Sequence, residues 1–578
     1  MKTLLGALLL LPLALVAQLH PLLHAPIPPL TATQLYANPL PIQLPDGSNM
    51  VSCPDPSIIR SQVAGDDAWY MYCTNDVFQE RGLVHLMAIS RSTDLVNWTY
   101  LTDVFPVMPS FLPANAGLWA PDIQFLNGKY YLYYTASITQ QGGPAIFAAI
   151  SDRPDGPFTA IATPVVPAER LSDGSWRDVI DPAIASEGGQ RYIFYGSFNG
   201  GTSARLLSDD GLSTVAGSEV QISPSNRYEA SYVIQRHGYY YLFLSAGTCC
   251  SGAGSGYGVF VARSSHLLGP YLDKDGVSLA DPRVGGTPVL MMNGNRWLGP
   301  GHNAVVTDPS GQDWMLYHAV DATNPTIPGA WTRRPAMLDS IDWNNDWPSV
   351  RRGAGASDQL EPVPATSASM PLISASAAVQ DSMGQLLSAY SDEFEGSKFT
   401  AHWSWLHSSP RGTAQLQGGA FSFATQPGDM TDTRHDAALL SEAMPAGDFV
   451  VETKLGNNLP DTGLHNSIQS GIVLYQDDTH FLKLTLQSIG STRQLEFALK
   501  NGNAWGRSYL ASAAAETWLR IARRGDLYTS YSSHDGVVWT RGPSWHLTTT
   551  ATARIALISA GGTGYLSRFE YLRVGERQ

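Results

Sequence analysis

Cysteine is scarce in this chain: four in 578 residues, too few for a small disulfide-built scaffold. Cys53 and Cys73 flank one short hairpin and could bridge. Cys249 and Cys250 are neighbours, open to being either a vicinal disulfide or two free thiols. Charge is also sparse, at 15% of residues, and the balance is acidic: 36 Lys and Arg against 50 Asp and Glu, a formal charge of -14. Such a surface repels phosphate backbones, which argues against a nucleic-acid partner, whereas a neutral polysaccharide meets no electrostatic penalty. Long apolar runs are missing beyond the start. Residues 1–25 carry one Lys ahead of an apolar run and small residues at Ala17 and Ala25, which reads as a secretory signal with an open cleavage point. No later run reaches the eighteen apolar residues of a membrane span. The expectation is an exported, extracellular protein, off the membrane once the signal is removed, and a monomer. His and Cys nowhere show the three- or four-ligand clustering of a zinc site, and no organic cofactor is expected.

What the chain has in abundance is Gly (54), Pro (38), Tyr (25) and Trp (15), a composition of turns and aromatic strands. One pattern recurs five times. A polar opener leads an apolar run, a tight turn follows, and an aromatic strand closes the unit. The copies open at Asp55, Asp122, Asp181, Glu229 and Asn303 and close on Trp69–Tyr72, Tyr130–Tyr134, Tyr192–Tyr195, Tyr239–Leu244 and Trp314–His318. A repeated sheet unit with room for two further strands predicts a five-bladed β-propeller over residues 26–350. In such a ring equivalent positions converge on the axis, so Asp55, Asp122, Asp181 and Glu229 are expected together, each raising the others' pKa. Residues 26–50 are expected to run extended over the surface. Residues 351–390 have linker composition. From Ser391 to the C-terminus, short alternating strands predict a two-sheet β-sandwich. The fold class is therefore all-β.

The motifs Cys53-Pro54-Asp55-Pro56-Ser57-Ile58, Trp119-Ala120-Pro121-Asp122-Ile123, Ile180-Asp181-Pro182, Tyr228-Glu229-Ala230-Ser231-Tyr232 and Leu316-Tyr317-His318-Ala319 resemble those of glycoside hydrolase family 43, nearest its arabinanase and arabinofuranosidase branch. The resemblance covers about residues 40–350. More loosely, Asp392-Glu393-Phe394 and Trp403-Ser404-Trp405 resemble the concanavalin-like jelly-roll sandwich appended to some members. The resemblance implies a five-bladed propeller and an inverting glycosidase, with Asp55 as general base, Glu229 as general acid and Asp181 as the carboxylate that tunes and orients the acid. Asp181 is expected to stay ionised, its charge holding the proton on Glu229, so that its removal lowers that pKa and disturbs the limb of the rate profile set by the acid. Trp119 and Tyr228 are candidates for a sugar-stacking wall, Phe198 and Asn199 for the same cleft, and Asp122 for a structural or substrate-proximal place. The resemblance also implies calcium or another cation near the axis, held by His318 and waters, with His302 beside it as a substrate or supporting contact. The substrate implied is a plant cell-wall polysaccharide or oligosaccharide with α-L-arabinofuranosyl linkages, first of all α-1,5-arabinan. A β-xylosidase or an arabinoxylan arabinofuranosidase is the alternative, and a non-catalytic sugar-binding propeller a third.

Overall fold

The computed structural model describes residues 34–578 except 80, 81, 83, 330, 368–379, 408–412, 461–466, 491 and 512. The signal segment and residues 26–33 lie outside the described residues. Five separate sheets follow one another along the chain from Ile42 to Val350, one per repeat, and form the blades of the expected propeller. The turn that recurs in each repeat has a definite geometry. Asn127 and Gly128 (φ 52° and 77°) join strands Leu118–Leu126 and Lys129–Ala136, and His237 and Gly238 (φ 48° and 82°) join Glu229–Arg236 and Tyr239–Ala246. Two consecutive positive φ values suit the two-residue hairpin, whose twist matches that of its strands. The aromatic second strands are buried on both faces because each blade is covered by two neighbours: Tyr130 to Ala136 are all buried, as are Tyr240 to Ala246.

The ring closes through the segment ahead of blade 1. Residues 34–50 do not run loosely over the surface as their Pro and Leu content suggests. Leu40, Ile42, Leu44 and Met50 are buried in one cluster with Trp98 of blade 1 and Trp314, Leu316 and Leu338 of blade 5. Apolar spacing won over the loop-like composition. Leu338 donates its N–H to Asn38 Oδ1 at 3.0 Å, and strand Ile42–Gln43 pairs in parallel with the edge of blade 1. Part of the expected linker also packs back: Glu361–Pro362 pairs with Leu35–Tyr36.

Beyond it, a nine-stranded and a seven-stranded sheet form the sandwich, over a core that includes Phe421, Phe449, Leu484, Phe497, Leu519 and Phe569. Strands Thr492–Asn501 and Ala504–Tyr509 of this second domain press against blade 4. Thr248 N–H donates to Arg507 O at 2.9 Å, and Arg507 N–H returns a bond to Thr248 Oγ1 at 3.2 Å. Arg493 N–H donates to Pro282 O at 2.7 Å. Among the described residues no aromatic side chain of the sandwich is strongly exposed.

Candidate active site

The inner strand of each of the first four blades opens on a non-glycine residue in the left-handed region: Asp55 (φ 51°), Ala120 (45°), Asp181 (57°) and Ala230 (59°). Such a conformation costs an L-residue roughly 1–2 kcal/mol and is tolerated best by Asp or Asn. It breaks the strand's alternation at the same place relative to the repeat in each of these four blades. Asp55 and Asp181 occupy the break itself, and Glu229 immediately precedes it. Asp122 does not share their place. It lies two residues past the break, where blade 1 has Ser57, and both residues do the same work: Ser57 Oγ accepts from Ile123 N–H at 3.1 Å and Asp122 Oδ2 from Ile184 N–H at 2.9 Å. Each ties its inner strand to the next blade. Asp122 is thus a strut between blades 2 and 3, and the expectation that it joins the other carboxylates fails by two positions. Burial pushes its pKa up to about 7, against the Gln124 and Ile184 hydrogen bonds.

Asp55, Asp181 and Glu229, from blades 1, 3 and 4, line one cleft of about 490 Å³. Burial opposes the Asp55 charge, but Arg334 and His318 outweigh it and hold this carboxyl well below the usual range. Arg334 Nη1 lies 3.2 and 3.3 Å from the two Asp55 oxygens, and Thr74 Oγ1 donates to Oδ2 at 2.7 Å. His318 Nδ1 lies 3.2 Å from both the backbone nitrogen and Oδ1 of Asp55. Burial lowers the His318 pKa, so the ring is neutral and its tautomer decides which of the two it serves. His302 Nδ1 stands 3.9 Å from Asp55 Oδ1, with its pKa pushed down to about 4 by burial.

Glu229 is held differently. Ser197 Oγ donates to its Oε2 and Tyr257 OH to its Oε1, both at 2.6 Å. Asp181 receives one backbone donor, Ala230 N–H at 3.1 Å. Burial raises both pKa values, and the Glu229 charge, then that of Asp55, raise Asp181 further. With two hydroxyl donors against one amide, Glu229 is the better solvated of the pair. The two carboxyls form a coupled pair that resists carrying two charges.

Trp119 lines the cleft with 39% of its surface exposed. Tyr228 does not. It is fully buried, packed against Phe260, and its hydroxyl donates to Gly285 O at 2.8 Å, so it is a core residue of blade 4 rather than a sugar-stacking wall. The strand's alternation sends Tyr228 and Glu229 to opposite sides. Phe198 and Asn199 sit on the turn after strand Gln190–Ser197, outside the cleft's lining; Phe198 O accepts from Asn226 N–H, and Asn199 N–H donates to Asp178 Oδ2 at 2.8 Å. Sequence reasoning missed Arg334, Thr74, Ser197 and Tyr257. Arg334 lies between the repeat's strands, where no pattern marks it. Ser197 and Thr74 each follow an aromatic strand, a shared offset that would have singled them out. Cys249 and Cys250 are bonded to one another, as are Cys53 and Cys73, and the adjacent pair lines the cleft.

A family model described as Glycosyl hydrolases family 43 matches residues 50–348, and one described as Beta xylosidase C-terminal Concanavalin A-like domain matches residues 391–564. The chain is similar to the extracellular exo-alpha-(1->5)-L-arabinofuranosidase ArbA of Cellvibrio japonicus, 30% identical over 327 residues that cover 53% of this chain and 88% of that protein. It is similar also to the extracellular endo-alpha-(1->5)-L-arabinanase 1 of Bacillus subtilis, 31% identical over 320 residues, 51% of this chain and 86% of that one. With the first model spanning half of its length, and that half folded as the five blades, the chain belongs to glycosyl hydrolases family 43.

Proposed function

We propose that the protein is an exported, inverting glycosidase that hydrolyses α-L-arabinofuranosyl linkages of plant cell-wall polysaccharide, most directly α-1,5-arabinan. One observation carries this reading: three carboxylates from three blades face one cleft, with Asp55 held ionised by Arg334 and His318 and Glu229 held toward its protonated form. Asp55 takes a proton from the attacking water, whose oxygen bonds to the anomeric carbon; the glycosidic bond breaks with its electron pair on the leaving oxygen, which receives the Glu229 proton. Asp181 orients Glu229 and shares its proton. Trp119 offers an apolar face to a sugar ring, and neutral His302 offers a hydrogen bond. The names of the relatives support arabinan, and the word extracellular in both supports export.

A cation at His318 belongs to the same proposal. The surroundings suit a loosely held, water-coordinated hard ion. Among the described residues no cluster of three His, Cys, Asp or Glu side chains is built to hold a metal. Buried polar atoms of Asn303 and Ser231 on inner strands, and of Ser245 on the second strand of blade 4, nevertheless lack partners among the described residues. Such an ion would fix His318 and, through it, Asp55.

The β-xylosidase alternative is favoured by the C-terminal match alone. A time-resolved product profile on debranched arabinan, with arabinoxylan and xylo-oligosaccharides alongside, tests the reading. An arabino-oligosaccharide ladder or arabinose from arabinan supports it. Release from xylan-derived substrates only would overturn the arabinan assignment, and binding without hydrolysis would overturn the enzyme.

A further inference from the structure

The disulfide between Cys249 and Cys250 lines the cleft beside Glu229, and the usual account of a disulfide does not explain it there. Cross-links stabilise chiefly by closing long loops of the unfolded chain, an effect that shrinks as the loop shortens. A bond between adjacent residues closes almost none. Nor does the segment depend on it for anchoring. Thr248 is bonded to Arg507 in both directions, Gly256 N–H donates to Thr248 O at 2.8 Å, and Ser251 N–H donates to Ser255 Oγ at 3.0 Å. On the far side Thr332 Oγ1 donates to Cys250 O at 2.6 Å and accepts from Gly252 N–H at 3.2 Å. What the bond adds is a surface. Two joined sulfurs are polarisable, uncharged and free of hydrogen-bond donors, whereas two thiols would keep S–H groups.

Trp331, 39% exposed, lines the same cleft, and its neighbour Thr332 makes the tie to Cys250. Sulfur and indole together form an apolar wall on the blade 4 and blade 5 side of the cleft. Its position relative to the chemistry follows from the ladder. Glu229 pairs with Ser245, and the chain runs on from Ser245 to Cys249 at the same end of blade 4, while Asp55 belongs to blade 1. The disulfide end of the wall thus stands on the side of the acid, where the sugar attached to the leaving oxygen lies, while Trp331 and Thr332 lead on to Arg334 at Asp55.

We propose that the Cys249–Cys250 disulfide, with Trp331, is the surface on which the C–H face of the leaving sugar rests, making the disulfide a specificity-determining element for neutral oligosaccharides over glycosides with a small aglycone. This rests on the glycosidase reading above. The test compares the full-length oxidised protein with C249A/C250A and with T332V, which loosens the wall without altering a sulfur. Each is assayed on α-1,5-arabinotriose and on methyl α-L-arabinofuranoside, with xylotriose and methyl β-D-xyloside in parallel. The expected result is that kcat/KM on the trisaccharide falls about tenfold more than on the methyl glycoside in C249A/C250A, and less in T332V. The pH–rate profile should keep both limbs. Wild-type protein treated with TCEP, in which Cys53 and Cys73 are almost fully buried, should show the same change, reversed by reoxidation; this arm holds even where the double variant folds poorly. An equal fall on both substrates, or none on either, would overturn the wall while leaving the glycosidase intact. A wild type that cleaves none of these substrates would overturn both.

Discussion

Arg227 Nη2 donates to the carbonyl of Leu510 at 2.7 Å, across the boundary between propeller and sandwich and two residues ahead of Glu229. Its Nη1 donates to Gln494 Oε1 at 3.1 Å, and Gln494 Nε2 returns a bond to Asn226 O at 2.8 Å. The guanidinium lies over Tyr228, Phe260 and Tyr509 at 4.7 to 4.9 Å. With the Thr248–Arg507 pair, both chain segments flanking the Glu229 hairpin are gripped by the second domain. The sandwich thus holds the chain on either side of Glu229 from outside the cleft lining.

Arg227→Met keeps much of the buried stem and removes the donors. Hydrogen bonds from a charged donor contribute about 1.5–3 kcal/mol each. Urea unfolding should show a loss of that order, and kcat should fall several-fold as Glu229 loses its setting, with KM nearly steady. An unchanged kcat in a destabilised variant would show that the grip serves stability alone.

Asp181→Asn removes a charge from the coupled pair. Burial raises both carboxyls and the Glu229 charge raises Asp181 further; a coupling of this kind is reciprocal, so with Asp181 replaced by a group that cannot ionise Glu229 gives up its proton more readily. An acid catalyst must be protonated, and activity is lost as pH rises through its pKa. The alkaline limb of kcat/KM should thus move to lower pH, with the maximum reduced. A limb that stays in place would refute the coupling.

For Asp122 the readout is stability rather than rate. Its folded pKa, about 7, lies above the unfolded value of 3.8, so the folded state binds the proton more tightly. That contribution is fully present below about pH 4 and is lost as pH rises through 7. Asp122→Asn, neutral throughout, should lack this loss: its melting temperature relative to wild type should climb between pH 4 and pH 8, with the KM of the cleft unchanged. A parallel pair of curves would count against the buried carboxyl.

Why Asp122 misled while Asp55 and Asp181 did not is a matter of what a repeat encodes. The aromatic strands and Gly turns recur because every blade needs two buried faces and a matching hairpin, so the ring was legible from pattern. The left-handed break that aims the carboxylates is a backbone feature. Asp-Pro marks it in blades 1 and 3, whereas blade 2 places Ala120 there and shifts its Asp inward by two. Tyr228 shows the same limit on a smaller scale, because adjacency to Glu229 in a strand means opposite faces. Arg334 and Tyr257 come from connections of irregular length, and only the closed ring brings them to Asp55 and Glu229. The segment at 34–50 was misjudged because its Pro content hid four apolar side chains that close the ring.

On the face of the seven-stranded sheet turned away from the sandwich core, Lys483 Nζ lies 3.2 Å from Glu496 Oε1 with both side chains fully buried. Lys483 also donates to Gln469 Oε1 at 2.8 Å. Lys483→Met would leave the Glu496 carboxylate, among the described residues, with Arg507 Nη1, 4.0 Å away, as its remaining cation. Breaking one side of such a pair costs about 3–5 kcal/mol, whereas replacing both partners by apolar groups is often neutral or better. The double variant Lys483→Met/Glu496→Leu should therefore recover most of the stability lost by the single one, measured by chemical unfolding. Activity separates the two further. Drawn toward an unpaired Glu496, Arg507 would strain the strand whose backbone holds Thr248, and with it the disulfide wall. The single variant should lose trisaccharide hydrolysis more than methyl glycoside hydrolysis, and the double variant should regain it. Were both variants to keep wild-type selectivity while differing in stability, the strand at Arg507 would transmit nothing to the cleft, and the second domain would act only through Arg227.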